Sequence, residues 1–357
     1  MKDGFGRTID YLRVSVTDRC NFRCVYCMPE EGYPVSPKDE ILTFEEIARL
    51  VHIAADLGMV KIRLTGGEPL VRKDLPDLIA QIRKHPAITD LSCTTNGFLL
   101  PEMADRLADA GLQRVNISLD TLDEEKFVRI ARRGSLRKVL EGIDAASKAG
   151  LSPLKINCVL MKGVNDDEVA EFARWTLREE VHVRFIEVMP IRWNLDETDT
   201  YDSMSALNGD SDLIRLRPAA DNGMLSDVDM RRMVVPYLAA KDVIEASLGP
   251  LEPADVPTNG PAHTYRLDCA RGTVGFISQI SADLCSRCNR LRLTADGQLR
   301  PCLMSDGEVD LRRPLRSGAS DDDIAAIFLH VVEHKPERHY LAEGQRVLSR
   351  GMSQIGG

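Results

Sequence analysis

The sequence of 357 residues lacks any long apolar run. No stretch approaches the roughly 18 apolar residues of a membrane-spanning helix, and Met1 to Arg7 contain no apolar segment typical of a secretory signal. A net basic charge is also lacking, because 55 acidic side chains outnumber 46 basic ones and give a net charge of −9. This balance disfavours non-specific binding to nucleic acid. We therefore expect a cytoplasmic protein of ordinary globular composition that binds neither membranes nor nucleic acid.

Cysteine, by contrast, occurs nine times, and three cysteines lie within eight residues. Cys20, Cys24 and Cys27 have the spacing Cys-x-x-x-Cys-x-x-Cys, and neither Cys nor His follows in the next twenty residues. In a reducing compartment, such a group indicates metal binding rather than disulfides. Three thiolates can hold three irons of a 4Fe-4S cluster and leave the fourth iron open. A structural zinc site and three unrelated core cysteines are the alternatives.

A second group of three cysteines, Cys285, Cys288 and Cys302, lies near the C-terminal end. Four arginines share its segment: Arg287, Arg290, Arg292 and Arg300. Guanidinium groups bind phosphate oxygens in pairs, so an open iron beside them would suit a ligand with a polar ring and phosphates. A zinc site completed by a remote ligand such as His263 is the alternative. We expect the remaining cysteines, Cys93, Cys158 and Cys269, to pack in the core.

Apolar runs of strand length alternate with helical stretches between Leu12 and Val188, the pattern of βα units on a parallel sheet. Strands are predicted at Leu12–Val16, Val60–Leu64, Thr89–Thr94, Arg114–Leu119, Lys155–Leu160 and Val183–Val188. Helices are predicted at Thr43–Leu57, Leu75–Lys84, Pro101–Ala110, Leu136–Ala149 and Asp166–Arg178, with Thr43 and Asp166 as N-caps. About six units are too few for a full eight-unit barrel. We expect an α/β fold with an incomplete TIM-type barrel, and a doubly wound sheet is the alternative.

The chain is predicted to have three parts. Residues 1–190 would form the partial barrel with the first cluster, and 191–240 an acidic lid or excursion. Residues 241–357 would form a C-terminal α+β extension with the second cluster, containing a helix near Ala240–Leu248 and strands near Tyr265–Leu267 and Thr273–Ile277. Polar loops after the predicted strands, such as Thr65–Pro69 and Thr95–Gly97, should lie at the carboxyl edge of the sheet, where parallel folds build active sites.

Together these motifs resemble the GTP 3′,8-cyclase family, radical S-adenosylmethionine enzymes of molybdenum cofactor biosynthesis. The resemblance rests on the first cysteine loop and on the segments Ile62–Pro69, Thr94–Gly97, Asn116–Asp120, Lys155–Asn157, Phe185–Pro190 and Cys288–Arg292. It implies two 4Fe-4S clusters, the first held by Cys20, Cys24 and Cys27 and the second by Cys285, Cys288 and Cys302.

The resemblance also implies which residues contact the small molecules. S-adenosylmethionine would contact Tyr26, Gly67, Ser118 and Met189, chiefly through backbone groups. GTP would contact Arg13, Arg63, Thr94, Lys155, Arg290 and Arg292. The terminal pair Gly356 and Gly357 would reach into the active site and take part in catalysis, although on general grounds such a pair is more often a frayed end.

The implied reaction is radical conversion of GTP to (8S)-3′,8-cyclo-7,8-dihydroguanosine 5′-triphosphate through a 5′-deoxyadenosyl radical. It would need an external electron donor of the flavodoxin or ferredoxin type, and its product would pass to cyclic pyranopterin monophosphate synthase. The sequence leaves monomer and homodimer both open. A radical S-adenosylmethionine enzyme that modifies peptides with the help of an auxiliary cluster, and a non-catalytic iron-sulfur carrier, are the alternative functions.

Overall fold

A computed structural model describes residues 1–189, 191, 225, 227–255, 260–279, 281–282, 284–339 and 350–356. Within them, twelve strands form one sheet in the order β12-β11-β10-β1-β2-β3-β4-β5-β6-β9-β8-β7. The strands are β1 Tyr11–Ser15, β2 Lys61–Thr65, β3 Asp90–Thr95, β4 Arg114–Ser118, β5 Leu154–Leu160, β6 Val181–Glu187, β7 Leu251–Pro253, β8 His263–Leu267, β9 Thr273–Ile277, β10 Arg290–Leu293, β11 Gln298–Arg300 and β12 Val309–Asp310. In the central part of this order, β10-β1-β2-β3-β4-β5-β6-β9, every strand is parallel to its neighbours.

Helices follow most of the parallel strands, as the alternating pattern predicts. They are α1 Phe44–Asp56, α2 Leu75–Arg83, α3 Leu100–Asp109, α4 Glu124–Ala131, α5 Leu136–Lys148, α6 Val169–Arg178, α7 Asp227–Arg232, α8 Tyr237–Leu248, α9 Arg312–Arg316 and α10 Asp321–Glu333. The six predicted strands and five predicted helices of the first half are confirmed to within three residues at each end. The later helix near Ala240–Leu248 and the strands near Tyr265–Leu267 and Thr273–Ile277 are also confirmed.

Two local predictions about helix starts have different outcomes. Thr43 caps α1 as expected: its hydroxyl accepts from the Glu46 amide, and the Glu46 carboxylate accepts from the Thr43 amide. The assignment of Asp166 as an N-cap is wrong. A short 3-10 turn at Asp166–Glu168 precedes α6, and the Asp166 carboxylate instead accepts from the Gly163 amide at 2.8 Å in the preceding turn.

The residues after 250 extend both edges of the sheet that the first half begins. Strand β9 pairs in parallel with β6, and β10 pairs in parallel with β1. The antiparallel strands β8 and β7 continue one edge, while β11 and β12 continue the other. The second cysteine group therefore lies beside the first strand of the fold, although hundreds of residues separate them in the chain.

The strands alternate between two kinds of side chain. Apolar residues such as Leu12, Ile62 and Ile117 pack in the core that the helices cover. Polar residues such as Arg63 and Asn116 point to the opposite face, yet they too are buried. This second face, which Met352 and Ser353 of the C-terminal segment also border, forms the candidate site.

The predicted acidic lid lies largely outside the described residues, as do Arg192 and most of the stretch that follows it. At its described end, the Leu225 amide donates to the Val25 carbonyl in the first cysteine loop at 3.0 Å. Met230 and Met233 are buried in the same apolar cluster as Val25. None of the helices in the described ranges is long and apolar enough to cross a membrane.

Candidate active site

The first cysteine loop leaves the end of β1 and is held by contacts along its length. Phe22 packs edge-on against Phe98 and Phe127, which anchors the loop in the core. The Arg23 guanidinium donates to the carbonyls of Cys20 and Phe22, both at 2.7 Å. The Cys27 amide donates to the Cys24 carbonyl at 2.9 Å. These contacts fix the spacing of the three thiols without any disulfide.

The Gly66-Gly67-Glu68 loop at the end of β2 packs directly against the residues that precede Cys20. A Cβ on Gly67 would lie 2.3 Å from the Arg19 carbonyl oxygen, and one on Gly66 would lie 2.5 Å from that of Thr17. The Gly67 amide donates to the Thr17 carbonyl and the Glu68 amide to that of Arg19. Only glycine fits this close backbone approach, so the two loops form one rigid rim.

A cavity of about 220 Å³, the first cavity, opens at this rim. Cys20, Cys24 and Cys27 line it, together with all four residues predicted to contact S-adenosylmethionine: Tyr26, Gly67, Ser118 and Met189. It is also lined by five of the six residues predicted to contact GTP, namely Arg13, Arg63, Thr94, Arg290 and Arg292. The structure thus brings together residues from strands far apart in sequence.

Two carboxylates that the sequence reading did not single out also line the first cavity. Glu68 accepts hydrogen bonds from the Thr95 hydroxyl and the Asn96 amide, both at 2.7 Å. Burial nevertheless raises the pKa of Glu68 to about 7. Asp120 accepts from the Tyr26 hydroxyl and the Val159 amide, both at 2.8 Å, and burial raises the pKa of Asp120 to about 6. The Glu68 bonds join the ends of β2 and β3, and the Asp120 bonds join the end of β4 to β5 and to the cysteine loop.

Arginines form a row across the buried polar face. Arg292 on β10, Arg13 on β1 and Arg63 on β2 are direct neighbours in register. Burial and the neighbouring positive charges of Arg63 and Arg290 lower the pKa of Arg13 to about 10. The pKa of Arg292 falls for the same reasons, first burial and then the charges of Arg13 and Arg290. Cations this close and this buried favour binding of a polyanion.

The second cysteine group lines a smaller cavity of about 50 Å³, the second cavity. Cys285, Cys288 and Cys302 contribute to its wall, and so do Arg290 and Arg292. Because both arginines also line the first cavity, they lie between the two cysteine groups.

Both cysteine groups have features that suit metal-bound thiolates. The Phe22 amide lies 3.4 Å from the Cys20 sulfur, and the Met304 amide lies 3.4 Å from the Cys302 sulfur. Hydrogen bonds to sulfur are among the interactions that tune iron-sulfur clusters. Within the described residues, no group of three or more His, Cys, Asp or Glu side chains is arranged to hold a single metal ion.

The first group would be protonated as free thiols. Burial, together with the nearby negative charges of Glu68 and Cys20 respectively, raises the pKa of Cys20 to about 11 and that of Cys27 to about 12. Burial also raises the pKa of Cys24. A cationic iron cluster supplies the positive charge that stabilises thiolates in such a site. The residues present therefore fit a cluster.

Cys288 in the second group differs from these thiols. Burial opposes ionisation, but the charges of Lys335 and Arg290 outweigh it and lower the pKa of the Cys288 thiol to about 7.

Lys155 does not line the first cavity. It lines a third cavity of about 170 Å³ together with His182 and Arg184. Burial, and then the positive charges of Arg184 and Arg114, lower the pKa of Lys155 to about 5. Arg184 lines both the first and the third cavities, so the two cavities meet at this side chain, and its pKa is lowered to about 9 by burial and by Arg63.

The C-terminal segment contributes to the wall of the first cavity. Met352 and Ser353 line the cavity, and the Ser353 amide hydrogen bonds to the Cys27 sulfur. The Gly356 carbonyl accepts from Arg292 and, at 3.2 Å, from Arg13. Gly357 lies outside the described residues.

Sequence reasoning missed several residues of this site. Asn157 and Arg184 both line the first cavity, and Arg184 donates to Asn157 at 2.6 Å. The sequence does contain a signal for both residues, because they are polar residues at alternate positions of otherwise apolar predicted strands. His339 and Gln279, which line the second cavity, had no such signal. The expectation that Cys93 and Cys158 pack in the core is confirmed, but Cys269 is exposed, because it sits at a turn with a positive φ of 57°.

The fold and the cysteine loop define the class of enzyme. Residues 14–176 match the Radical SAM superfamily. Residues 224–341 match the family described as Molybdenum Cofactor Synthesis C. The crystal structure of Streptococcus suis SuiB bound to S-adenosylmethionine has a similar fold, with a TM-score of 0.51, 13% identity, and coverage of 90% of this chain and 68% of that chain. Membership of this class implies a 4Fe-4S cluster and S-adenosylmethionine.

Curated relatives narrow the class to one family. The GTP 3′,8-cyclase of Pelotomaculum thermopropionicum is 49% identical, and that of Moorella thermoacetica is 47% identical, in both cases over the full length of the two chains. The chain belongs to the GTP 3′,8-cyclase family, radical S-adenosylmethionine enzymes of molybdenum cofactor biosynthesis.

Proposed function

We propose that this enzyme converts GTP to (8S)-3′,8-cyclo-7,8-dihydroguanosine 5′-triphosphate. The observation that carries the proposal is the position of Arg290 and Arg292, which line the cavities of both cysteine groups. A nucleotide bound along these arginines lies between two metal sites. Its ribose can then face one site while its base faces the other.

The first cysteine group would hold a 4Fe-4S cluster, with S-adenosylmethionine against Tyr26, Gly67, Ser118 and Met189. When bound, the cluster and S-adenosylmethionine would supply the radical chemistry that removes a hydrogen atom from the ribose. The protein residues bind and orient the reactants and keep water out. The closely packed Gly66-Gly67 rim offers backbone groups to the cofactor, and the Tyr26–Asp120 hydrogen bond holds the cysteine loop against β4 and β5.

The second group would hold a further 4Fe-4S cluster that binds the guanine base. The triphosphate would bind Arg13, Arg63, Arg290 and Arg292, with Thr94 beside them. Arg184 extends this cationic surface into the third cavity, which Lys155 also lines. An anionic ligand here would relieve the mutual repulsion of buried cations, which is the physical reason for placing the triphosphate at this face.

Further parts of the proposal lie outside this cavity. The reaction needs an external one-electron donor, which we assign to the flavodoxin or ferredoxin class, and its product would feed cyclic pyranopterin monophosphate synthase. The three-part division at residues 190 and 240, with the barrel left incomplete, is part of the same proposal.

Anaerobic turnover tests the function directly. Reconstituted enzyme, given S-adenosylmethionine, a reductant and GTP, should form 5′-deoxyadenosine and the cyclised nucleotide in equal amounts. The same protein should contain about eight irons, because two 4Fe-4S clusters are proposed. A protein with about four irons and one tightly bound zinc would show that the assignment of a second 4Fe-4S cluster is wrong. Cleavage of S-adenosylmethionine in the presence of a peptide, but not of GTP, would show that GTP is not the substrate.

Lys155 predicts a pH dependence of GTP binding. In the free enzyme its pKa is lowered to about 5, so the side chain is largely neutral at pH 7. A bound triphosphate would raise that pKa, and GTP binding should therefore take up a proton. Affinity should rise as pH falls from 8 to 6, by up to about tenfold per pH unit, because the complex binds one proton more than the free enzyme. Calorimetric titration in buffers of different ionisation enthalpy measures this uptake.

Arg184→Met provides the matched control for this prediction. The pKa of Arg184 is about 9, so its guanidinium stays charged between pH 6 and 8. Its loss should weaken binding about tenfold or more at every pH, because charge-assisted hydrogen bonds contribute roughly 1.5–3 kcal/mol. Lys155→Met should instead remove the part of the pH slope that Lys155 causes. An unchanged slope and unchanged proton uptake in Lys155→Met would contradict the assignment.

A further inference from the structure

We propose that Lys335 and Arg7 form a cationic clasp that holds the three segments of the second cysteine group in position before any metal binds. In this role they are positioning residues, since neither is a proposed ligand of the metal or the substrate. The identity of the metal at this site rests on the proposed function, whereas the clasp rests on contacts of the chain itself.

Lys335 joins two of the three cysteine segments. Only 3% of the residue is exposed. Its ammonium donates to the Arg290 carbonyl at 3.0 Å and to the Pro301 carbonyl. Arg290 follows Cys288 by two residues, and Pro301 immediately precedes Cys302. One buried cation therefore ties the start of β10 to the segment after β11.

Arg7 joins the third cysteine segment to the same stretch of chain. Its guanidinium donates to the Cys285 carbonyl at 2.9 Å and to the carbonyls of Pro336 and Glu337, both at 2.7 Å. Arg7 is itself held by Asp3, whose fully buried carboxylate lies 2.5 Å from the Arg7 Nε. Asp3 also accepts from the Phe5 and Arg7 amides. The guanidinium thus has a fixed direction.

Residues 335–337 are the common element of these contacts. Lys335 reaches two cysteine segments from this stretch, and Arg7 connects it to the third. The contacts join four parts of the chain that are remote in sequence, and none of them involves a cysteine sulfur.

The charge of Lys335 has a further consequence. Burying an ammonium is costly unless an anion lies nearby, and its partners in the described residues are neutral carbonyls. Thiolates of the second cysteine group, once bound to the metal of the proposed function, would be the anions that offset this cost. We therefore infer that Lys335 contributes both position and positive charge to this metal site.

The test compares Lys335→Met with Lys335→Gln, using Lys148→Met as the control. Lys148 is exposed on α5 and pairs with Asp144, and it lines neither the first nor the second cavity. In metal-free protein, amide hydrogen exchange in residues 284–303 should become faster in Lys335→Met, while exchange in β1 to β6 stays unchanged. After reconstitution, its iron content should fall by about half, with loss from the second site only.

Lys335→Gln keeps a hydrogen-bond donor but removes the charge. It should retain more iron than Lys335→Met, and the second cluster should have a lower reduction potential than in the native enzyme, because a nearby positive charge favours the reduced state. If Lys335→Met fails to fold, the reduction potential of the second cluster and the amide exchange rates in Lys335→Gln still test the clasp.

Unchanged exchange in residues 284–303 together with unchanged metal content in both Lys335 variants would overturn the clasp. If the native enzyme instead holds zinc at the second cysteine group, the proposed second cluster is wrong. The exchange rates of metal-free protein then decide on the clasp separately, because they do not depend on which metal the site takes.

Discussion

Replacing Cys24 with alanine is expected to abolish reductive cleavage of S-adenosylmethionine. Cys24 lines the first cavity between Cys20 and Cys27, and its loss leaves two thiols where a cluster with one open iron needs three. The first cluster should be lost or degraded. Production of 5′-deoxyadenosine under anaerobic conditions should fall to background, and GTP cyclisation should fall with it.

Cys93→Ala is the matched control for this variant. Cys93 is also a buried thiol, but it lies in the apolar core of β3 and does not line the first cavity. Its replacement should lower stability modestly through a small cavity, while iron content and cofactor cleavage stay near the native level. Cofactor cleavage by Cys24→Ala at a substantial fraction of the native rate would show that Cys24 is not a cluster ligand.

The central fold could be predicted from the sequence because its signals are local. Apolar runs, the Thr43 capping box and the positive-φ glycines after α1, α3 and α5 each depend on a few neighbouring residues. Helix α4 was missed because it is short and buries only Phe127, Ile130 and Ala131. The positions in the sheet of the strands after residue 250 could not be predicted. The pairing of β10 with β1, for example, depends on contacts between residues remote in sequence.

The candidate site shows the same division. Cysteine spacing indicates a metal whatever the tertiary structure, so the two groups could be found in the sequence. The separation of Lys155 from the first cavity could not, because it depends on how far along β5 each side chain lies. Asn157, two residues later on the same face, lines the first cavity, whereas Lys155 lines the third. The cavity that a residue of β5 lines depends on its position in the assembled sheet, and no pattern of neighbouring residues in the sequence indicates it.

The shared wall between the cavities also explains why one protein would need two cysteine groups. Arg292 lies in register beside Arg13, so the arginine row belongs to the same sheet that presents the first cysteine loop. The second group is attached to the Arg292 end of that row by β10 and its following strand. A substrate fixed by its phosphates in the row would lie near both cysteine groups at once. Loss of either site should therefore affect different steps, cofactor cleavage for the first and base positioning for the second.

Removal of Gly356 and Gly357 is expected to slow productive cyclisation by about a hundredfold while leaving the fold intact. Ile355 is buried with Ile191, Leu303 and Met304, and it remains in the truncated chain, so the tail should stay anchored. The Gly356 carbonyl accepts from Arg13 and Arg292. Gly356 therefore helps to set the direction of the two guanidinium groups that would bind the triphosphate.

Truncation removes the Gly356 acceptor but leaves Ile355, whose carbonyl already accepts from Arg292 at 3.4 Å and becomes the new terminal carboxylate. Because a carboxylate still faces Arg292, GTP affinity should be largely retained. Iron content and cofactor binding should also be retained. The rate of cyclisation should nevertheless fall by about a hundredfold, because a misplacement of about 1 Å between reacting atoms costs on that order. Equilibrium GTP binding and anaerobic product formation, measured on the same preparations, separate the two effects.

Point variants show whether the position of the Gly356 backbone matters, or only the presence of the two terminal residues. Gly356 has a φ of 70°, and a Cβ there would lie 2.8 Å from the Thr65 methyl carbon, so Gly356→Ala should reproduce part of the truncation. Gly163→Ala introduces the same backbone strain at a φ of 73° in open space and should leave cyclisation unchanged. If the truncated enzyme cyclises GTP at the full-length rate, the contacts of Gly356 with Arg13 and Arg292 have no part in the chemistry.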